Sequence, residues 1–283
     1  MRIDAHQHFW RVARGDYGWL TADGFPALYR DFGPGDLAPL LAGAGVELTV
    51  LVQAAPTSAE TCWLLELAAK TPFVAGVVGW ADFEAPDAAR VIEDLARAPK
   101  LVGLRPMLQD LPDDAWIVRP AIAPAVEALA AAGLRLDALV RPRHLPHLAR
   151  FLAARPDLPV VIDHGAKPDI VGGALAGWAD AMRAIARDTR ACCKLSGLVN
   201  EAAASWTAAD LRPYADVLLE AFGPARLMWG SDWPVVNLAG GYAAWRSAAE
   251  ALTEALPAED RDRIFGGTAA AFYGLAPSAP DAA

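Results

Sequence analysis

The chain has 283 residues, 54% of them apolar, and a formal net charge of −9. This length and apolar content allow one large buried core. The acidic balance opposes nucleic acid and anionic membrane surfaces as partners. An anionic small molecule stays possible, because a few local Arg or Lys side chains decide that.

The opening MRIDAHQHFW carries no apolar segment of signal-peptide type. The Ala-rich stretches are broken by charges and prolines below membrane-spanning length. Cys62, Cys192 and Cys193 have no metal-type spacing, and the expectation is a cytoplasmic protein with reduced, core-filling cysteines.

In chain order, an apolar run at Arg2–His8 predicts a first strand. It is followed by a long aromatic-rich loop, Phe9–Gly35, placed as packing or as a lid, and a helix at Asp36–Gly43. Strand Glu47–Ala54 precedes helix Ser58–Lys70, strand Phe73–Trp80 precedes helix Pro86–Arg97, and strand Leu101–Met107 precedes helix Pro120–Ala132. Strands Leu134–Val140, Pro159–His164, Ala191–Leu198 and Arg226–Ser231 then alternate with helices Leu145–Ala154, Leu175–Asp188, Ala208–Phe222 and Tyr242–Ala255. A last helix is predicted at Ala258–Phe272. Continuous apolar strands mark a parallel sheet covered on both faces. Eight strand–helix units favour an α/β fold of the closed (β/α)₈ TIM-barrel kind, one domain over residues 1–275, with 276–283 as a flexible tail.

Only five histidines occur. His6 and His8 stand two apart at the end of the first strand, so both project from one face, into the barrel at its C-terminal rim. His164 ends the strand in VVIDHGAKP, and Asp232 follows the last strand in LMWGSDWPV. Three imidazoles and a carboxylate have the ligand types for zinc or a related divalent ion. Without metal, the same set polarises a carbonyl and activates water.

Arg105, Lys167 and Lys194 sit in or just after apolar strands, where a cation must either pair or bind something. They are read as substrate contacts, with Asp232, Asp163 or Asp137 as the alternative partners. Gln53, Trp80, Gln109 and Trp233 lie at strand ends and are placed around the pocket. No nucleophile elbow and no Gly-rich nucleotide loop is present.

The segments DAHQHFW, VVIDHGAKP, CKLSGL and MWGSDWP resemble the amidohydrolase superfamily. More narrowly, they resemble the amidohydrolase-2 group and its sugar-lactonase branch of L-fuconolactonases and L-rhamnonolactonases. The resemblance runs from the first strand to the GGTAAAFYGL helix. It implies a hydrolase that opens a sugar lactone to its aldonic acid. It also implies His6, His8, His164 and Asp232 as the catalytic set, Asp232 being the base.

Members with two metals add a lysine or glutamate on the fourth strand and a histidine on the fifth. Here Arg105 and Asp137 stand in those strands, which implies at most one divalent ion, zinc by ligand type, and a dispensable one. Three alternatives stay open: a dicarboxylate lactonase, which needs a second cationic anchor; a metal-dependent decarboxylase of the same barrel; and a non-catalytic sugar-acid binder.

Overall fold

The computed structural model describes residues 1–275. Eight short strands form where aliphatic and β-branched residues run together: β1 (Ile3–Gln7), β2 (Leu48–Val52), β3 (Val74–Gly79), β4 (Leu101–Leu104), β5 (Arg135–Ala138), β6 (Val160–Ile162), β7 (Cys192–Leu195) and β8 (Leu227–Trp229). Each pairs in parallel with the next, in the order β1 to β8. A parallel bridge between Gln7 and Trp233 and a 2.7 Å bond from His8 N to Trp233 O bring the last unit back to the first.

The crossovers are α1 (Pro34–Ala44), α2 (Ser58–Ala69), α3 (Ala88–Leu95), α4 (Ala123–Ala131), α5 (Leu145–Ala154), α6 (Ala176–Asp188), α7 (Ala208–Phe222) and α8 (Gly241–Leu252). Local chemistry sets their starts. Thr57 caps α2 by accepting from Glu60 N, and Thr207 with Asp210 forms a reciprocal box at α7. The eightfold single barrel expected from the alternation is the observed architecture.

Three expectations change. The strands are shorter than their apolar runs, because the chain leaves the ladder to place His8, Arg105, His164 and Asp232 in the loops beyond. The last helix is broken into α9 (Ala258–Asp262), a π-turn at Arg263–Gly267 and α10 (Thr268–Tyr273). The break is local: Gly266 packs against the backbone of Met1 and Arg2, so closely that no Cβ would fit. Cys62 is exposed on α2 instead of filling the core, while Cys192 and Cys193 are buried. The expected tail, 276–283, lies outside the described residues.

The long loop after β1 is both packing and cover. Trp10 and Phe32 form an antiparallel bridge, and Trp10, Trp19, Phe25 and Phe32 stack edge-to-face at 5.4–5.6 Å. Trp19 Nε1 donates to Ala54 O at 2.8 Å, which ties the loop to the end of β2.

Candidate active site

His6 lies within β1 and His8 one residue past it, and the two Nε2 atoms stand 3.2 Å apart. His8 Nδ1 donates to the carbonyl of Val52 at 2.8 Å. That bond leaves the Nε2 side of His8 aimed at Asp232 Oδ1, 3.2 Å away. Asp232 Oδ2 accepts from Asn200 Nδ2 at 3.2 Å.

His164 is carried by an unusual turn. His164, Gly165, Ala166 and Lys167 all have left-handed backbones, with φ of 54°, 57°, 61° and 51°. Asp232 is left-handed too, at φ 57°. Non-glycine residues held there cost about 1 kcal/mol or more each, and such strain persists only where the surroundings impose it. The turn sets the His164 ring 4.4 Å from that of His6 and its Nε2 3.9 Å from Asp232 Oδ1. Ser196 Oγ holds His164 Nδ1 at 2.8 Å. Gly197 lies so close behind that a Cβ would stand 2.7 Å from Nδ1.

Burial dominates the electrostatics. It pushes His164 down to about 4 against the pull of the Asp232 and Asp163 carboxylates, and burial with the nearby Lys194 ammonium pushes His6 well below its ordinary value. Burial alone would raise Asp232. The surrounding imidazoles, His164 foremost, outweigh it, and the carboxylate stays ionised across the neutral range. Lys167 is lowered by burial. Among the described residues its ammonium has no ion pair or hydrogen bond.

Below the rim lies a charge network. Lys194, fully buried, touches Asp137 Oδ2 at 2.6 Å and Asp163 Oδ1 at 2.9 Å. Tyr273 of α10 donates to Asp137 at 2.7 Å. Arg105 Nη1 donates to Asp163 Oδ2 at 3.2 Å, its Nη2 bonds the Gln53 carbonyl, and Gln53 Nε2 returns a bond to Arg105 O at 2.8 Å.

A cavity of about 320 Å³ opens above this floor, at the C-terminal ends of the strands. His8, His164, Asp232, Arg105 and Lys167 face it, with Trp19, Phe25 and Leu28 of the β1 loop as one wall. Gln109 lines it as placed. Four expected contacts do not. Lys194 is spent on two aspartates beneath the floor, and Gln53 is buried against Arg105. Trp80 is bound through its backbone to Thr61 Oγ1, and Trp233 packs between Phe9 and Phe32. A cation in a strand saturates nearby carboxylates first, because an unpaired buried charge costs several kcal/mol.

Asn200, Ser196 and Asp163 hold the set in place. Only Asp163 had a signal in the sequence, as an acidic residue inside an apolar strand.

The donors of His6, His8 and Asp232 lie within 4.8 Å of one another. An ion with bonds of about 2.1 Å separates tetrahedral donors by roughly 3.4 Å. The 3.2 Å between His8 Nε2 and Asp232 Oδ1 and the 3.9 Å from His164 Nε2 to the same oxygen bracket that spacing. The donor set fits one divalent ion.

The chain is 49% identical over 276 residues to an L-fucono-1,5-lactonase of Burkholderia ambifaria, covering 96% of this chain and 95% of that protein. It is 42% identical to an L-fucono-1,5-lactonase of Burkholderia multivorans, with 97% and 96% covered. A crystal structure of an amidohydrolase from Burkholderia multivorans with bound zinc superposes with a TM-score of 0.92 at 41% identity, covering 98% of this chain and all of that one. No helix among the described residues is long and apolar enough to cross a membrane. With residues 3–275 matching the amidohydrolase profile, the chain belongs to the amidohydrolase family.

Proposed function

We propose that the chain is a lactonase that opens the ester ring of a sugar lactone of the L-fucono-1,5-lactone type to the aldonic acid. The observation that carries this is the pairing of an ionised Asp232 with His8 Nε2, 3.2 Å apart, on the wall of a cavity of about 320 Å³.

Both Asp232 Oδ1 and His8 Nε2 are acceptors. A proton leaving the attacking water is taken at Asp232 and shared with His8, which corrects for the weak basicity of a carboxylate so strongly stabilised. The water oxygen bonds to the carbonyl carbon, and the oxyanion forms beside the Lys167 ammonium and the Arg105 guanidinium. The carbon–oxygen bond of the ring then breaks, and the stored proton passes to the departing ring oxygen. General base catalysis of this kind contributes about 10²–10⁴-fold, and a favourably placed cation a comparable factor. That suffices for a reactive ester.

His6, His8 and Asp232, with His164 beside them, would hold a divalent ion, zinc by donor type. Such an ion supplies Lewis-acid polarisation of the carbonyl.

Arg105 is already committed to Asp163 and Gln53, which leaves Lys167 as the one cavity cation without a partner among the described residues. This favours a neutral lactone over a dicarboxylate. The same reading takes residues 1–275 as one domain of a cytoplasmic enzyme whose partner is the small molecule.

The test is a pH-indicator assay over aldono-1,4- and 1,5-lactones with wild type and Asp232→Asn. A loss of about 10²–10⁴-fold in kcat is expected for the variant. Undiminished turnover would remove Asp232 as the base, and a wild type inert to every lactone would remove the activity.

A further inference from the structure

The turn that follows β2 is pinned by a buried carboxylate. Glu60, in the first turn of α2, is fully buried. Its Oε2 accepts from Ala55 N at 2.8 Å and from Ala54 N at 3.1 Å, and its Oε1 also reaches Ala54 N at 3.1 Å. Residue 56 is a proline, so Ala54 and Ala55 carry the last N–H groups before the Thr57 cap. The support is rigid. Thr57 Oγ1 accepts from Glu60 N at 3.0 Å, and the neighbouring Thr61 Oγ1 accepts from Trp80 N at 2.7 Å.

The same two peptide groups serve the cavity on their other side. The N–H of Ala54 shares its peptide group with the carbonyl of Gln53, which accepts from Arg105 Nη2. The N–H of Ala55 shares its peptide group with the carbonyl of Ala54, which accepts from Trp19 Nε1 at 2.8 Å. A peptide group is planar, so fixing its N–H fixes the direction of its C=O. A carboxylate at the N–H end also polarises the group and makes the carbonyl a stronger acceptor. Arg105 and Trp19 both face the cavity, one as a cation and one as an aromatic wall.

Helix capping alone does not explain this carboxylate. A capping-box glutamate at this position reaches back to the N-cap N–H, yet both oxygens of Glu60 go past Thr57 to the end of the strand. Burial makes the charge costly, and the Arg105 guanidinium answers it across the turn. The buried hydroxyl of Tyr17, from the β1 loop, faces the same carboxylate and finds no partner elsewhere among the described residues.

We propose that Glu60 is a positioning residue for the cavity. By gripping two consecutive N–H groups it aims the carbonyls of Gln53 and Ala54 at Arg105 and Trp19, and so sets the cationic and aromatic walls. The aiming rests on hydrogen-bond geometry. Its effect on turnover rests on the lactonase reading.

Glu60→Ala in the intact protein removes the grip. With Trp19 loosened, KM for L-fucono-1,5-lactone should rise about fivefold, and with Arg105 loosened kcat should fall about tenfold. A substitution that merely weakened the fold would reduce active enzyme, and so apparent kcat, at unchanged KM. Unchanged KM therefore overturns the proposal. Glu60→Gln should recover KM to within about twofold of wild type, because one oxygen at the Oε2 position serves both N–H groups. A Gln variant as impaired as the Ala variant overturns it as well. In a Trp19→Phe background the rise in KM on Glu60→Ala should shrink to about twofold or less, since the contact it works through is gone. Full additivity would count against the proposal. If Glu60→Ala does not fold, Glu60→Asp, short by one methylene, carries the same expectations.

A second readout needs no turnover. The Trp19 indole N–H is identified among ten tryptophans by the signal lost in Trp19→Phe. It should exchange with solvent about tenfold faster or more in Glu60→Ala than in wild type. Equal exchange rates overturn the aiming. A wild type inert to every lactone, with faster indole exchange in the variant, would remove the activity and leave the positioning of the walls standing.

Discussion

Replacing Gly197 with Ala tests whether the placement of His164 is what the activity depends on. Gly197 has φ +65°, and an added Cβ would lie 2.7 Å from His164 Nδ1, 2.8 Å from its Cγ and 2.9 Å from its Cβ. Ordinary contact begins near 3.4 Å, so the ring must retreat by about 0.7 Å or the backbone of Gly197 must shift by as much. The left-handed backbone adds about 1–2 kcal/mol for a residue with a Cβ.

His164 cannot swing freely, because its turn is left-handed throughout and its Nδ1 is held by Ser196 at 2.8 Å. The displacement therefore reaches Nε2, on the side facing Asp232 and the cavity. Misplacement of a reacting group by about 1 Å costs roughly 10²-fold. Gly197→Ala should lower kcat/KM for the lactone by about 10- to 100-fold while lowering Tm by about 3–8 °C. Steady-state kinetics and a thermal melt on the same preparation measure both. A variant destabilised as expected yet within twofold of wild type in kcat/KM would refute the claim that His164 needs its present position.

Three further outcomes follow from single contacts. Lys167→Met keeps the length of the side chain but removes the unpartnered cation from the cavity. It should cut kcat/KM by about tenfold to a hundredfold with no loss of Tm, and unchanged kinetics would show that the ammonium does not meet the substrate. Trp19→Phe deletes the 2.8 Å bond to Ala54 O that ties the β1 loop to the barrel, so KM should rise about fivefold with kcat little changed, and an equal fall in kcat alone would contradict a binding role.

Glu60, buried beneath that loop and accepting from Ala54 N and Ala55 N, is raised by burial from 4.5 to about 7. Between those values the native state keeps a proton that the unfolded chain has lost, so this group destabilises the fold as pH rises through the window, by at most about 3 kcal/mol. Urea unfolding from pH 4 to 8 should show Glu60→Gln gaining stability over wild type as pH rises. A constant difference would place the shift elsewhere.

Strand–helix alternation, the i and i+2 spacing of His6 and His8, and the acidic or basic residues ending apolar runs are local patterns, and they specified the barrel and the converging set. The sequence also marked the β1 loop by its aromatics, because residues of that size must either pack or cover something.

What each polar side chain touches belongs to the tertiary structure. Lys194 and Arg105 read alike as cations in apolar strands, yet one is consumed by Asp137 and Asp163 below the floor while the other reaches the cavity. Charge pairing across strands far apart in sequence decides between them. The left-handed turn at His164 was likewise invisible, since three of its four residues carry a Cβ and nothing local favours that backbone. Packing around Gly165, Ser196 and Gly197 imposes it, and through it the position of the third imidazole.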